Sequence, residues 1–206
     1  MPPLAGWTLW ITGFVGKAPA LDQVMRLFVS DFFIPVSICL IMLALWVGHP
    51  DRFKREHIQR TIMNAAVAIG ISTLVVTVFN NFWNPWPRPF DEKLTDPVIQ
   101  QSARHAVDIV FYQTTDPSFP SNGATIAFAA ATSVWLGNRK AGALLYVLAF
   151  LWAFARFYAG AHFFIDVLCG AAIGMLTGLF ISKVFMPRME PFPTWALKMW
   201  RFFYMA

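Results

Sequence analysis

Runs of apolar residues dominate the chain, and their length rather than their periodicity decides what they are. Five stretches of roughly 16 or more residues carry almost no charge, at about 31–47, 62–82, 121–137, 142–157 and 162–184. A helix rises about 1.5 Å per residue, so such a stretch crosses a hydrocarbon layer of about 30 Å with its backbone polar groups bonded internally. The pattern predicts an all-α, polytopic membrane helix bundle of five transmembrane helices. Ahead of them, Leu4 to Val15 is apolar but short, lacks a basic lead and carries Trp7 and Trp10. That reads as an N-terminal interfacial helix rather than a cleavable leader.

The only long connection is 83–120. It opens with Trp83-Asn84-Pro85-Trp86-Pro87-Arg88-Pro89-Phe90, where three prolines forbid a continuing helix. Val98, Val107, Ile109, Val110 and Phe111 then punctuate a polar segment, which predicts a helix lying on the membrane surface. A connection this long in a small membrane protein is usually functional. The tail 186–206 sets Phe192, Trp195, Trp200, Phe202, Phe203 and Tyr204 among Lys198 and Arg201. It reads as an amphipathic cytoplasmic anchor or as a docking surface for another subunit. No linker or repeat interrupts the pattern, so residues 1–206 are expected to form a single membrane domain with its core over 60–185.

Composition agrees with a bilayer as solvent, since 57% of 206 residues are hydrophobic and only 13% charged. The net charge of +5 does not point to nucleic acid, because its distribution follows topology. Arg52, Lys54, Arg55, Arg60, Arg139, Lys140, Lys183, Arg188, Lys198 and Arg201 all fall on one face, ten of the sixteen basic residues. Eight of the eleven acids fall on the other. The positive-inside bias then puts the first face in the cytoplasm and the N-terminus outside, in a cell (inner) membrane. His49 and His57, on the cytoplasmic side, read as solvated. Cys39 and Cys169 sit in separate apolar runs without disulfide or metal-ligand spacing and read as small core residues. No nucleotide loop, metal motif or cofactor motif is present.

Three clusters fall on the extracytoplasmic face, at the ends of different spans. They are Asn81 through Arg88-Pro89, then Pro120-Ser121-Asn122-Gly123, and then Arg156 with His162 and Asp166. Arg88 and Arg156 offer planar donor forks suited to phosphate. Ser121 at a helix N-cap, with Asn122 and Gly123 in the first turn, presents a hydroxyl and free N–H groups at a positive helix end. His162 and Asp166 share a helix face, and an Asp that accepts from one ring nitrogen leaves the other free as nucleophile or base. The same stripe continues through Gly170, Gly174 and Gly178, a small-residue seam that turns His162 and Asp166 toward the bundle interior.

These spacings resemble the three-part signature of the type-2 phosphatidic-acid phosphatase and vanadium haloperoxidase superfamily: K-x6-R-P, P-S-G-H and S-R-x5-H-x3-D. Here the chain reads Asn81-x6-Arg88-Pro89, Pro120-Ser121-Asn122-Gly123 and Ala155-Arg156-x5-His162-x3-Asp166. In style it looks like the family's small bacterial undecaprenyl-diphosphate phosphatases. The resemblance implies that His162 attacks phosphorus, that Asp166 holds its ring, and that Arg88, Arg156, Ser121 and the N–H groups near Gly123 hold the phosphoryl oxygens, without a metal or other cofactor. The implied partners are the lipid bilayer and a lipid phosphate or prenyl diphosphate.

Two departures weaken the match. Asn81 stands where the family has a phosphate-binding Lys, and Gly123 where it has the His that protonates the leaving group. Loss of a general acid typically costs about 10²–10⁴ in rate. His105 and Asp116, in the long loop, are the candidate replacements. Two readings therefore stand: a weakened lipid-phosphate or polyprenyl-diphosphate phosphatase, or a catalytically inactive relative serving as a structural or assembly subunit of a larger membrane complex. Haloperoxidase chemistry is not expected in so small and apolar a chain.

Overall fold

Local capping chemistry sets where the helices begin. Asp51 accepts from the backbone N–H groups of Phe53 and Lys54 and starts α4, Arg52–Phe82. Asp96 does the same for Val98 and Ile99 ahead of Pro97, and starts α5, Pro97–Val110. Asn138 accepts from Ala141 N–H and starts α7, Arg139–Tyr158. Each side chain satisfies donors that a helix leaves unpaired in its first turn.

In a computed structural model describing residues 1–48 and 51–202, the other elements are α1 (Ala5–Thr12), α2 (Pro19–Val29), α3 (Phe33–Val47), α6 (Asn122–Gly137) and α8 (Phe164–Phe180). After α8 the chain passes through a π-helical turn, Ile181–Phe185, into α9 (Met186–Arg188), and then forms α10 (Phe192–Phe202). No strand occurs among the described residues. The protein is thus an all-α, multi-pass membrane protein.

Three helical segments are long and apolar enough to cross a membrane: Phe53–Phe82, Arg139–Tyr158 and Phe164–Arg188. A fourth crossing arises if α2 and α3, bent by 54° at their junction, are taken as one. The expected run at 31–47 is α3, which follows that bend, with Asp31 at the junction. The expected run at 121–137 is α6, whose 16 residues reach only about 24 Å. Ten of those residues are buried, because α4, α7 and α8 sheathe the helix.

The glycine seam of α8 makes this sheath tight. A Cβ at Gly170 would stand 2.5 Å from the carbonyl oxygen of Ser121, and one at Gly178 would stand 2.9 Å from that of Ala129. Lipid tails are as apolar as leucine, so close contact through small residues is what holds such helices together.

Two expectations change, for the 97–113 segment and for Cys39, and two further segments take their places in the fold. The basic 48–61 segment is helical from Arg52 onward, with His57 exposed on α4 and 3.3 Å from the Gly137 carbonyl; His49 lies outside the described residues. The segment 97–113 is helical over α5, but Val107 and Val110 are buried against the protein instead of facing lipid. Its partners are α1 and α2, two short elements that cover its apolar face. Cys39 is exposed on α3 and only Cys169 is half-buried, so the core reading fails for Cys39. In the tail, α10 docks on α4 through Arg201–Glu56 and Arg60–Thr194 contacts, leaving Phe192, Trp195, Trp200 and Phe202 exposed. Phe203 and Tyr204 lie outside the described residues.

Candidate active site

His162 stands in the turn between α7 and α8, fully enclosed by the 83–120 connection and the head of α6. Its Nδ1 lies 2.9 Å from the carbonyl oxygen of Ser118. A carbonyl only accepts, so Nδ1 carries the proton and the lone pair of the neutral ring is on Nε2. Nε2 faces Arg88 Nη1 at 3.4 Å. Burial, reinforced by the positive charge of Arg88, pushes the imidazole down to about 4. The ring is therefore neutral, with its nucleophilic nitrogen free, across the physiological range.

This corrects the expected His–Asp bond. Asp166 Oδ2 is 3.8 Å from Nδ1, too far for a hydrogen bond. The Asp166 carboxylate instead accepts from Ser118 Oγ at 2.6 Å, Trp86 Nε1 at 2.9 Å and the Phe163 backbone N–H at 2.9 Å. It positions the ring indirectly, by holding the Ser118 segment whose carbonyl takes the Nδ1 proton.

The two arginines converge on the same place. Arg88 donates to the carbonyl oxygens of Asp116 (2.8 Å), Ala161 (2.6 Å) and Pro117 (3.3 Å), and pairs with the Asp116 carboxylate at 2.9 Å. Burial pulls its guanidinium below the ordinary arginine value, while Asp116 opposes the shift. Arg156 is clamped between the rings of Trp152 and Phe111, 5.2 Å from each centroid. Its Nη2 pairs with Asp31, and the other oxygen of Asp31 accepts from Tyr112 Oη. That bond to Asp31 is the leading cause that raises the Tyr112 hydroxyl above its usual value.

A cavity of about 320 Å³ joins these groups, lined by Asp31, Tyr112, Asp116, Asn122, Gly123, Trp152, Arg156 and His162 among others. Ser121 occupies the N-cap position of α6 but does not cap it, and its buried Oγ has no protein partner. Arg156 Nε and Trp152 Nε1 are buried and unpartnered as well. A buried donor left unpaired costs about 1–3 kcal/mol, so three in one place describe a surface built to meet acceptors. Gly123 touches the same group: a Cβ there would stand 3.1 Å from Arg156 Nε and 3.3 Å from Trp152 Cζ2.

Of the residues the sequence singled out, Arg88, Ser121, Asn122, Gly123, Arg156, His162 and Asp166 are brought together. Asn81 is not, since it is exposed at the end of α4 and does not line the cavity. His105 is also elsewhere, packed beside Gly16. Asp31, Tyr112, Trp86 and Trp152 were missed. Asp31 had a readable signal, an acid heading an apolar run, and Trp152 lies one turn before Arg156. Among the described residues, no three His, Cys, Asp or Glu side chains gather as a metal site. A larger apolar groove, about 700 Å³ beside Trp46 and Trp200, carries no such chemistry.

The family model of the PAP2 superfamily matches residues 61–190. The undecaprenyl-diphosphatase BcrC of Bacillus subtilis (strain 168) is 27% identical over 182 residues, 88% of this chain and 83% of that protein. The crystal structure of Aquifex aeolicus LpxE superposes with a TM-score of 0.59 at 25% identity, over 86% of this chain and 93% of that one. The PAP2 type phosphatidylglycerolphosphate phosphatase of Bacillus subtilis shares the fold, with a TM-score of 0.56 at 18% identity over 93% of this chain and 90% of that one.

Proposed function

We propose a function from one premise: the chain belongs to the PAP2 superfamily. That function is hydrolysis of a membrane lipid phosphate, with a polyprenyl diphosphate as the preferred class, at the extracytoplasmic side of the inner membrane. The observation that carries it is the approach of Arg88 to His162 Nε2, with Arg156 and the head of α6 lining the same cavity as the ring.

The mechanism follows from what each group can do. Nε2 of His162 attacks phosphorus, and the N–P bond forms as the bond to the leaving oxygen breaks. Developing charge on the equatorial oxygens meets Arg88, Arg156, Ser121 Oγ and the N–H groups at the head of α6. Water then cleaves the N–P bond and regenerates the imidazole. With no His at Gly123, the head of α6 supplies no proton to the leaving oxygen. A phosphate leaving from a diphosphate is a much weaker base, which favours diphosphates.

The test is phosphate release from a prenyl diphosphate by purified protein, repeated with His162→Ala and with acid-stable and acid-labile phosphoenzyme compared. Release that the substitution abolishes, through an acid-labile phosphoenzyme, is expected. The second reading, a phosphate-binding but inactive subunit, is favoured by Gly123, whose lack of a side chain removes the acid. It predicts no release by either form, together with stable co-purifying membrane subunits.

A further inference from the structure

The proton that Gly123 cannot supply has another source in the cavity. We propose that Asp31 is the general acid of this site, donating to the leaving oxygen and later accepting from the attacking water; this rests on the hydrolase reading above.

Asp31 belongs to neither the three motifs nor the 61–190 match, and enters the cavity from the bend between α2 and α3. It meets the same guanidinium that a side chain at position 123 would touch. Gly123 faces Arg156 Nε, and Asp31 holds Arg156 Nη2. One planar group thus links the place of the missing acid to the carboxylate. Asp31 is about one-third exposed, so solvent can deliver a proton to it, and Tyr112 Oη already donates to its second oxygen.

Without substrate the Asp31 carboxylate is paired with Arg156. A phosphate that takes the guanidinium releases that carboxylate toward the leaving oxygen. In the first step His162 Nε2 bonds to phosphorus, the bond from phosphorus to the leaving oxygen breaks, and the Asp31 proton moves to that oxygen, so that a monoester releases a neutral alcohol and a diphosphate releases a protonated lipid monophosphate. In the second, water bonds to phosphorus, the N–P bond breaks, and Asp31 takes the water's proton.

Asp116 is the rival acid, but it pairs with Arg88, whereas Asp31 holds the guanidinium that lies beside Gly123, and Asp116 is the more exposed of the two. The experiment compares leaving groups of different basicity: a lysophosphatidate, a nitrophenyl phosphate and a prenyl diphosphate, each with the wild type, Asp31→Asn, Asp116→Asn and Tyr112→Phe. Asp31→Asn is expected to slow the lysophosphatidate by about 10²-fold or more, the usual worth of a general acid. Nitrophenyl phosphate, whose leaving group needs no proton, should form the phosphoenzyme at nearly the wild-type rate, which also shows that the variant is folded. An equal loss in the rate of phosphoenzyme formation from all three substrates, or a leaving-group dependence carried by Asp116→Asn or Tyr112→Phe instead, overturns the assignment. So does a wild type that turns over only the diphosphate. No release from any substrate by the wild type overturns the hydrolase reading itself.

Discussion

Arginines and carboxylates meet at both ends of this bundle, and the two meetings differ. At the end away from His162, Arg60 pairs with Glu56 and Glu190 and bonds Thr194, while Arg201 pairs with Glu56. Those side chains are between about one-third and two-fifths exposed, and water shares the cost of their charge. At the His162 end, Arg88 and Arg156 are at most 8% exposed, and unpartnered donors stand beside them. Charge that closes on itself near solvent fastens a tail to a helix. Arginine charge that is itself buried at a cavity, with hydrogen-bonding capacity to spare, is poised for a ligand.

Removing one arginine from each end separates these roles. Arg156→Ala should lower kcat/KM for lipid-phosphate hydrolysis by about 10²–10³-fold, the scale of losing one preorganised donor, as measured by phosphate release. A loss of less than tenfold would place Arg156 with the fastening arginines.

Acid titration comes next. With His162 pushed down to about 4, kcat/KM should hold its acid limb near that pH, where a ring of ordinary value 6.5 would already have lost about a hundredfold at pH 4.5. The sign for stability is the same. The unfolded ring takes its proton first, so stability contributed by the buried neutral ring is complete above 6.5 and falls away as pH drops toward 4. An acid limb at 6.5 in a pH–rate profile would mean the ring is wetter than its burial indicates.

The smallest effect belongs to the other end. Arg201→Gln should change unfolding free energy by less than about 1 kcal/mol, in a salt-dependent way, and leave phosphate release unchanged. A larger shift in thermal unfolding would show that α10 is more than a fastened tail.

Much of this was legible in the sequence, and the misses have physical reasons. Apolar length located the helices, and the Gly170–Gly174–Gly178 stripe correctly turned Asp166 inward, because both depend on neighbours in the chain. The i, i+4 spacing of His162 and Asp166 did not give their bond. A ring placed in a turn before the helix points toward the Ser118 carbonyl, 44 residues away, which no local spacing encodes. Asp31 was overlooked because an uninterrupted span was expected across 31–47, and the bend places its carboxylate beside Arg156. Likewise α1 and α2 cover α5, so its apolar face needs no lipid.

The three bonds to Asp166 reach a tryptophan after α4, a serine before α6 and the backbone at the start of α8. One carboxylate therefore acts as a common tie for three strands of chain that are remote in sequence. Where it is cut, the anchor of the imidazole and the tryptophan two residues before Arg88 lose the same partner in one event.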